Sequence, residues 1–227
     1  MSPAPLSFAL VREGPSDDGL AVLVRKVLQV AVLDAGVSVV GDPLSFGTAP
    51  SDQVRAVMDD AARPDLLFVH KDADSRDHTH IQGVIEDAAE LYADPSCVVP
   101  VIPVQETEAW AMVDEELIMD VVGSRAELSR DALALPPLRR IEDTASPKEV
   151  LLEALIRATK DSAREKKRTH KRFSSLRLSI FENLEIDGPL SQLPSWQRFR
   201  AAAEAAATYV LELRERSGAE GHDCDGR

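Results

Sequence analysis

The sequence predicts an α/β domain with a mostly parallel sheet flanked by helices, followed by a helical C-terminal extension. Three observations predict it. Short apolar runs alternate with stretches whose apolar residues recur at helical spacing. Two of those runs end in acidic motifs, as strand ends facing a sheet rim often do. Beyond about Gly123 strand signals stop and only helical ones continue.

Residues 6–11 read as a buried first strand, apolar apart from Ser7. Glu13-Gly14-Pro15-Ser16 supplies turn chemistry, with Ser16 as the expected N-cap of a helix over residues 17–35. Gly36 is placed to end that helix. Residues 37–40 read as a second strand, and Pro50-Ser51 opens a helix over residues 52–62. Strands over 66–71 and 98–104 alternate with helices over 77–92 and 106–113. Ser146-Pro147-Lys148-Glu149 has the form of a capping box with proline at the first helical position, opening a helix to about Thr159. Further helices are expected around 176–184 and over 195–216, where residues 201–207 are alanine and one glutamate. The expected organisation is an α/β domain over residues 1–122, a helical region packed on it over 123–216, and a disordered tail over 217–227.

With 227 residues the chain suits one domain with an appendage. Its 44% hydrophobic and 29% charged residues are an ordinary soluble composition. Two cysteines, Cys97 in an apolar run and Cys224 in a polar stretch, make no disulfide framework and point to a reducing cytoplasm. Residues 1–11 lack the basic leader of a signal peptide, and no run approaches the roughly 18 apolar residues of a membrane span. A soluble cytoplasmic protein is expected. The net charge of −13 has the wrong sign for binding nucleic acid by bulk charge. Such binding would need local basic surface, bridging metals or a partner subunit.

The acidic motifs carry the chemistry. Glu13, Asp17 and Asp18 follow the first strand, and Asp72 and Asp74 follow the strand over 66–71. If those strands are parallel the acids meet at one rim, where they repel unless a cation lies between them. Asp72 and Asp74, two apart on an extended segment, point the same way and suit a hard cation such as Mg²⁺. Asp17 and Asp18 are equally well explained as acids complementing a helix N-terminus. Glu106 and Glu108 open the helix after the last strand, and since they cannot share a helix face one of them is expected in the site. Trp110 reads as core. His70, His78 and His80 lack zinc spacing and read as surface or structural residues. Lys148, a cation in a first helical turn, is misplaced for the helix dipole and hints at contact with an anion or an acidic residue of the site. Within the basic run over 164–172, Lys166, Lys167, Arg168, Lys171 and Arg172 are candidate contacts to a phosphate backbone, though a solvated linker explains them equally.

Taken together, Glu13-Gly14 after the first strand and Asp72-Ala73-Asp74 after a later one resemble the Toprim fold, a Rossmann-like arrangement. More narrowly, LVREGPSDDGL, FVHKDADS, VPVQETEAWAMVD, Ser146–Lys148 and DGPLSQLPSWQRF look like the bacterial Toprim-like domain-of-unknown-function family 4276, in order along nearly the whole chain. The resemblance implies a Mg²⁺- or Mn²⁺-dependent nuclease acting on DNA or RNA. It also implies partnership with an ABC- or SMC-type ATPase in anti-phage defence, and it allows a homo-oligomer. By the same resemblance Asp72 and Asp74 hold metal, and Glu13 is metal ligand or general acid/base. Glu106 or Glu108 completes the site, Glu108 matching the family's Glu-x-Trp better, and Lys148 contacts an anion. Lys71 stands where the family more often has an apolar residue, and pairing with Asp72 would blunt metal affinity.

Metal-assisted phosphodiester hydrolysis is the leading expectation, with two ions about 3.5–4 Å apart clamping the attacking and leaving oxygens. The alternative is a non-catalytic scaffold subunit of an ATPase complex, which the acidic balance and 4% aromatic content would suit. A haloacid-dehalogenase phosphatase fits poorly, because Arg76 stands where Asp-x-Asp-x-Thr or Val is needed.

Overall fold

The chain forms four parallel strands in the order β2-β1-β3-β4, seen in a computed structural model that describes residues 3–45, 49–60, 63–159 and 162–222. The strands are β1 (Leu6–Val11), β2 (Val39–Leu44), β3 (Leu66–His70) and β4 (Val98–Val101). Central β1 and β3 are nearly continuous apolar runs, as strands covered on both faces must be. Edge strand β2 tolerates Pro43, whose missing N–H would break a central ladder. The second strand begins at Val39 and runs to Leu44, later than the expected 37–40.

The intervening helices are α1 (Gly19–Ala31), α2 (Pro50–Met58) and α3 (Thr79–Ala89). Helix α2 packs on α3, while α1 packs on β2, the arrangement that right-handed crossovers give for this strand order. Helix α1 stops four residues before the expected end, and Gly36, at φ 62°, closes the turn that follows. Ser16 does not cap it: Pro15–Asp17 form a 3-10 turn first. The expected end of α2 at residues 61 and 62 lies outside the described residues.

After β4 come α4 (Glu108–Ala111), α5 (Glu115–Val122), α6 (Pro147–Ala158), α7 (Ala163–Lys171), α8 (Phe173–Asn183) and α9 (Pro194–His222). Among the described residues no strand follows β4. Helix α7 is the basic run, opened by the Ser162 hydroxyl accepting from the Glu165 N–H. The tail expected to be disordered from Ser217 is helical as far as His222, and residues 223–227 lie outside the described residues.

The C-terminal helices are not a separate lobe. Helices α8 and α9 pack on α1, and α9 also covers β4. Trp110, Trp196 and Phe199 stack edge-on or tilted with ring centroids 5.2–5.7 Å apart, and Phe199 reaches Phe68 of β3 at 6.2 Å. Trp110, expected in the core, is fully buried and donates its indole N–H to the Ser195 hydroxyl at 2.8 Å. Arg214 of α9 donates to the carbonyls of Ala4 and Pro5 at 3.0 Å and to Asp65 at 2.8 Å. Asp65 in turn accepts from the Ser7 N–H and hydroxyl. Among the described residues no helix is long and apolar enough to cross a membrane.

Candidate active site at the sheet rim

Strand order reverses between β1 and β3: the chain leaves β1 toward β2 on one side and β3 toward β4 on the other. Such switch points open a crevice at the C-terminal ends of parallel strands. Val11 lies opposite Val69 in the ladder, so two residues on Glu13 comes level with Lys71. Their side chains form a direct ion pair. Lys71 therefore pairs with Glu13, not with Asp72 as its sequence position suggested.

Beyond their last bridge β3 and β4 continue as irregular but paired segments. The N–H groups of Lys71, Ala73 and Asp74 donate to the carbonyls of Val101, Pro103 and Gln105. The pairing ends at two non-glycine residues with left-handed backbone, Asp74 at φ 51° and Gln105 at φ 66°. Aspartate tolerates that region because its short side chain bonds locally, whereas glutamine there marks a constrained turn. The left-handed step also ends the alternation on which an Asp72/Asp74 pair was expected to share one direction. Asp72 is half-buried and Asp74 is exposed.

Asp72 joins a buried polar group that the sequence had only partly indicated. Its Oδ1 accepts from the Thr107 hydroxyl at 3.0 Å. The fully buried His70 ring lies 3.7 Å from Asp72 and 3.9 Å from Asp17 through Nε2. His70 Nδ1 is 3.0 Å from the Val101 carbonyl; a carbonyl only accepts, so Nδ1 carries the proton and Nε2 is aimed at the acids. Burial pushes the Asp72 carboxyl up to about 6, Asp17 and Glu108 push the same way, and His70 and Thr107 oppose them.

Arg177 closes this group from α8. Its guanidinium pairs with Glu108, donates to the Ser16 carbonyl, and lies 3.6 Å from Asp17. Arg177, Glu108 and Asp17 are all buried. Arg12, one residue past the end of β1, pairs with Asp18.

Glu106 and Glu108 part company, as expected of acids that cannot share a helix face. Glu108 turns inward to Arg177, while Glu106 accepts from the backbone N–H of Lys148 at 2.9 Å. Ser146 makes no side-chain cap, so Glu106, 42 residues upstream of Lys148, caps α6 in place of the expected capping box. Lys148 thus meets the site through its main chain, and its side chain is exposed. Lys166, Lys167, Arg168, Lys171 and Arg172 are exposed on or just after α7, which packs on α6 and α8.

Sequence reasoning missed His70, Thr107 and Arg177 and left Asp17 undecided. Arg177 had a readable signal: it sits at helical spacing among Leu176, Ile180 and Phe181, the apolar side chains that α8 buries. His70 was legible only as a surface or structural histidine, and Thr107 had no signal.

The rim acids offer hard oxygen donors, the chemistry Mg²⁺ and Mn²⁺ take. Their placement does not match that chemistry. Glu13 is held by Lys71 and Glu108 by Arg177, and among the described residues no three His, Cys, Asp or Glu gather around one point. Comparison with family models, curated proteins and solved structures finds no match to this chain.

Proposed function

We propose that the chain is a phosphodiester hydrolase, a nuclease of Toprim type, with its centre at the switch point between β1 and β3. One observation carries the reading. The two central parallel strands end with Glu13 and Asp72 on adjacent segments, and Asp17 and Glu108 join them from neighbouring turns. The resemblance of the acidic motifs to Toprim nucleases points the same way. A divalent ion would be held here by Glu13 and Asp72, with Asp74 on the exposed turn, only once Lys71 gave up Glu13; it would then supply a Lewis acid for phosphate and water.

The chain's own residues prepare that site. Arg177 holds Asp17 and Glu108 against their mutual repulsion. Thr107 fixes one oxygen of Asp72, with the His70 ring 3.7 Å from it. Lys71 neutralises Glu13 and so competes with any cation for it.

Mn²⁺ calorimetry and nicking of plasmid DNA and of RNA test the reading on the parent, Lys71→Ala and Asp72→Ala. Lys71→Ala is expected to bind Mn²⁺ severalfold more tightly, the scale of about 1 kcal/mol for a partly exposed ion pair. Asp72→Ala is expected to lose both binding and cleavage. Cleavage by Asp72→Ala at the parent's rate overturns the site.

The same ion pairs support a second reading, a non-catalytic subunit of an ABC- or SMC-type ATPase complex, because the acids need no metal when Lys71 and Arg177 hold them. Failure of both the parent and Lys71→Ala to bind Mn²⁺, with stable association with such an ATPase, decides for it.

A further inference from the structure

A concavity lies between the end of α5, α6 and α7, and none of the rim acids lines it. It holds about 710 Å³, within the usual size of small-molecule sites. Among the described residues four arginines, Arg125, Arg157, Arg168 and Arg172, line it against a single acid, Glu165. Val122, Leu128 and Leu176 give it apolar wall. In a chain of net charge −13 this is a local reversal of sign.

Two of the guanidiniums are already engaged. Arg157 donates to Glu153 at 2.8 Å, and Arg168 lies 3.5 Å from Glu165. Arg125 and Arg172 have no ion-pair partner among the described residues. Each is placed by a chain reversal. Gly123, left-handed at φ 69°, ends α5 and turns the backbone into Ser124-Arg125. Arg172 occupies the junction between α7 and α8. Guanidiniums that share a cleft repel one another until an anion enters, and their planar forks match paired phosphate oxygens. The apolar wall suits a flat ring, and a volume of this size suits one small molecule.

We propose that this cleft binds a nucleoside phosphate, its phosphates on Arg125 and Arg172 and its base against Val122, Leu128 and Leu176. The inference is independent of the hydrolase reading. The test is calorimetry of the full chain with ATP, pyrophosphate and a short single-stranded oligonucleotide, with chelator present so that the rim takes no metal. ATP is expected to bind, and Arg125→Gln/Arg172→Gln to weaken it about tenfold or more, as loss of charge-assisted bonds requires. Both arginines are exposed, so the double variant should keep the parent's unfolding midpoint. Asp72→Ala is expected to bind ATP as the parent does. Absence of ATP binding overturns the proposal, as does ATP affinity unchanged in the double variant. Pyrophosphate binding as tightly as ATP removes the nucleoside from it, and an oligonucleotide binding more tightly than ATP reassigns the cleft to a phosphate backbone.

Discussion

Replacing Arg177 with methionine probes how the rim acids are held. The Arg177 side chain is 5% exposed, Glu108 4% and Asp17 9%, so all three charges are withdrawn from water together. Methionine keeps an unbranched stem for packing against α1 and α4 but removes the guanidinium. Glu108 then loses its cation, and the Ser16 carbonyl loses its donor. Removing one partner of a buried pair costs about 3–5 kcal/mol, because the remaining charge stays desolvated. In a chain of this size each kcal/mol moves Tm by about 2–4 °C, so Tm should fall by roughly 6–20 °C. Adding Glu108→Gln removes the stranded charge and should recover part of the loss, a coupling of about 1–3 kcal/mol. Urea unfolding of the parent, both single variants and the double variant at pH 7 measures each term. If Arg177→Met lies within about 1 kcal/mol of the parent, or if the two costs simply add, Arg177 does not neutralise Glu108 and the account of the rim fails.

Asp72 carries a pH dependence of definite sign. Its folded pKa of about 6 lies above the ordinary 3.8, so its favourable contribution is full below about pH 4 and is lost as pH rises through 6. Asp72→Asn should therefore unfold at higher urea than the parent at pH 7.5 and lose that advantage at pH 4; an advantage that does not change with pH contradicts the assignment. Glu106→Ala should cost about 1 kcal/mol by uncapping α6, while Ser146→Ala changes stability by only a few tenths, both read from urea midpoints. Gly19→Ala would set a methyl 2.7 Å from the Phe181 ring where α1 meets α8, and about 1–3 kcal/mol of overpacking cost is expected in the same assay.

The α/β architecture was legible because apolar runs and helical periods sit far above noise in β1, β3 and α1. Strand ends were less so. β4 was expected to reach Val104, yet its ladder ends at Val101 while the segment beyond stays bonded to residues 71–75 through irregular geometry. No local signal announces a left-handed aspartate or glutamine. The acids of the rim were visible singly, since each follows an apolar run. What could not be read was their pairing, because Lys71 with Glu13 spans 58 positions and Arg177 with Glu108 spans 69. The capping of α6 by Glu106 escaped for the same reason: Ser146 carried the local signature, and tertiary structure supplied a different oxygen.

The clasp of Arg214 on Ala4, Pro5 and Asp65 spans 210 positions and has a kinetic consequence. During synthesis the opening strand can find β2 and β3 early, but its leading end stays unfastened until the final helix has left the ribosome. Domains closed by such distant contacts fold slowly and remain exposed to misassembly meanwhile. Cutting the chain after Leu193 should accordingly leave a nascent-like species, bearing its sheet but prone to clump and easily degraded.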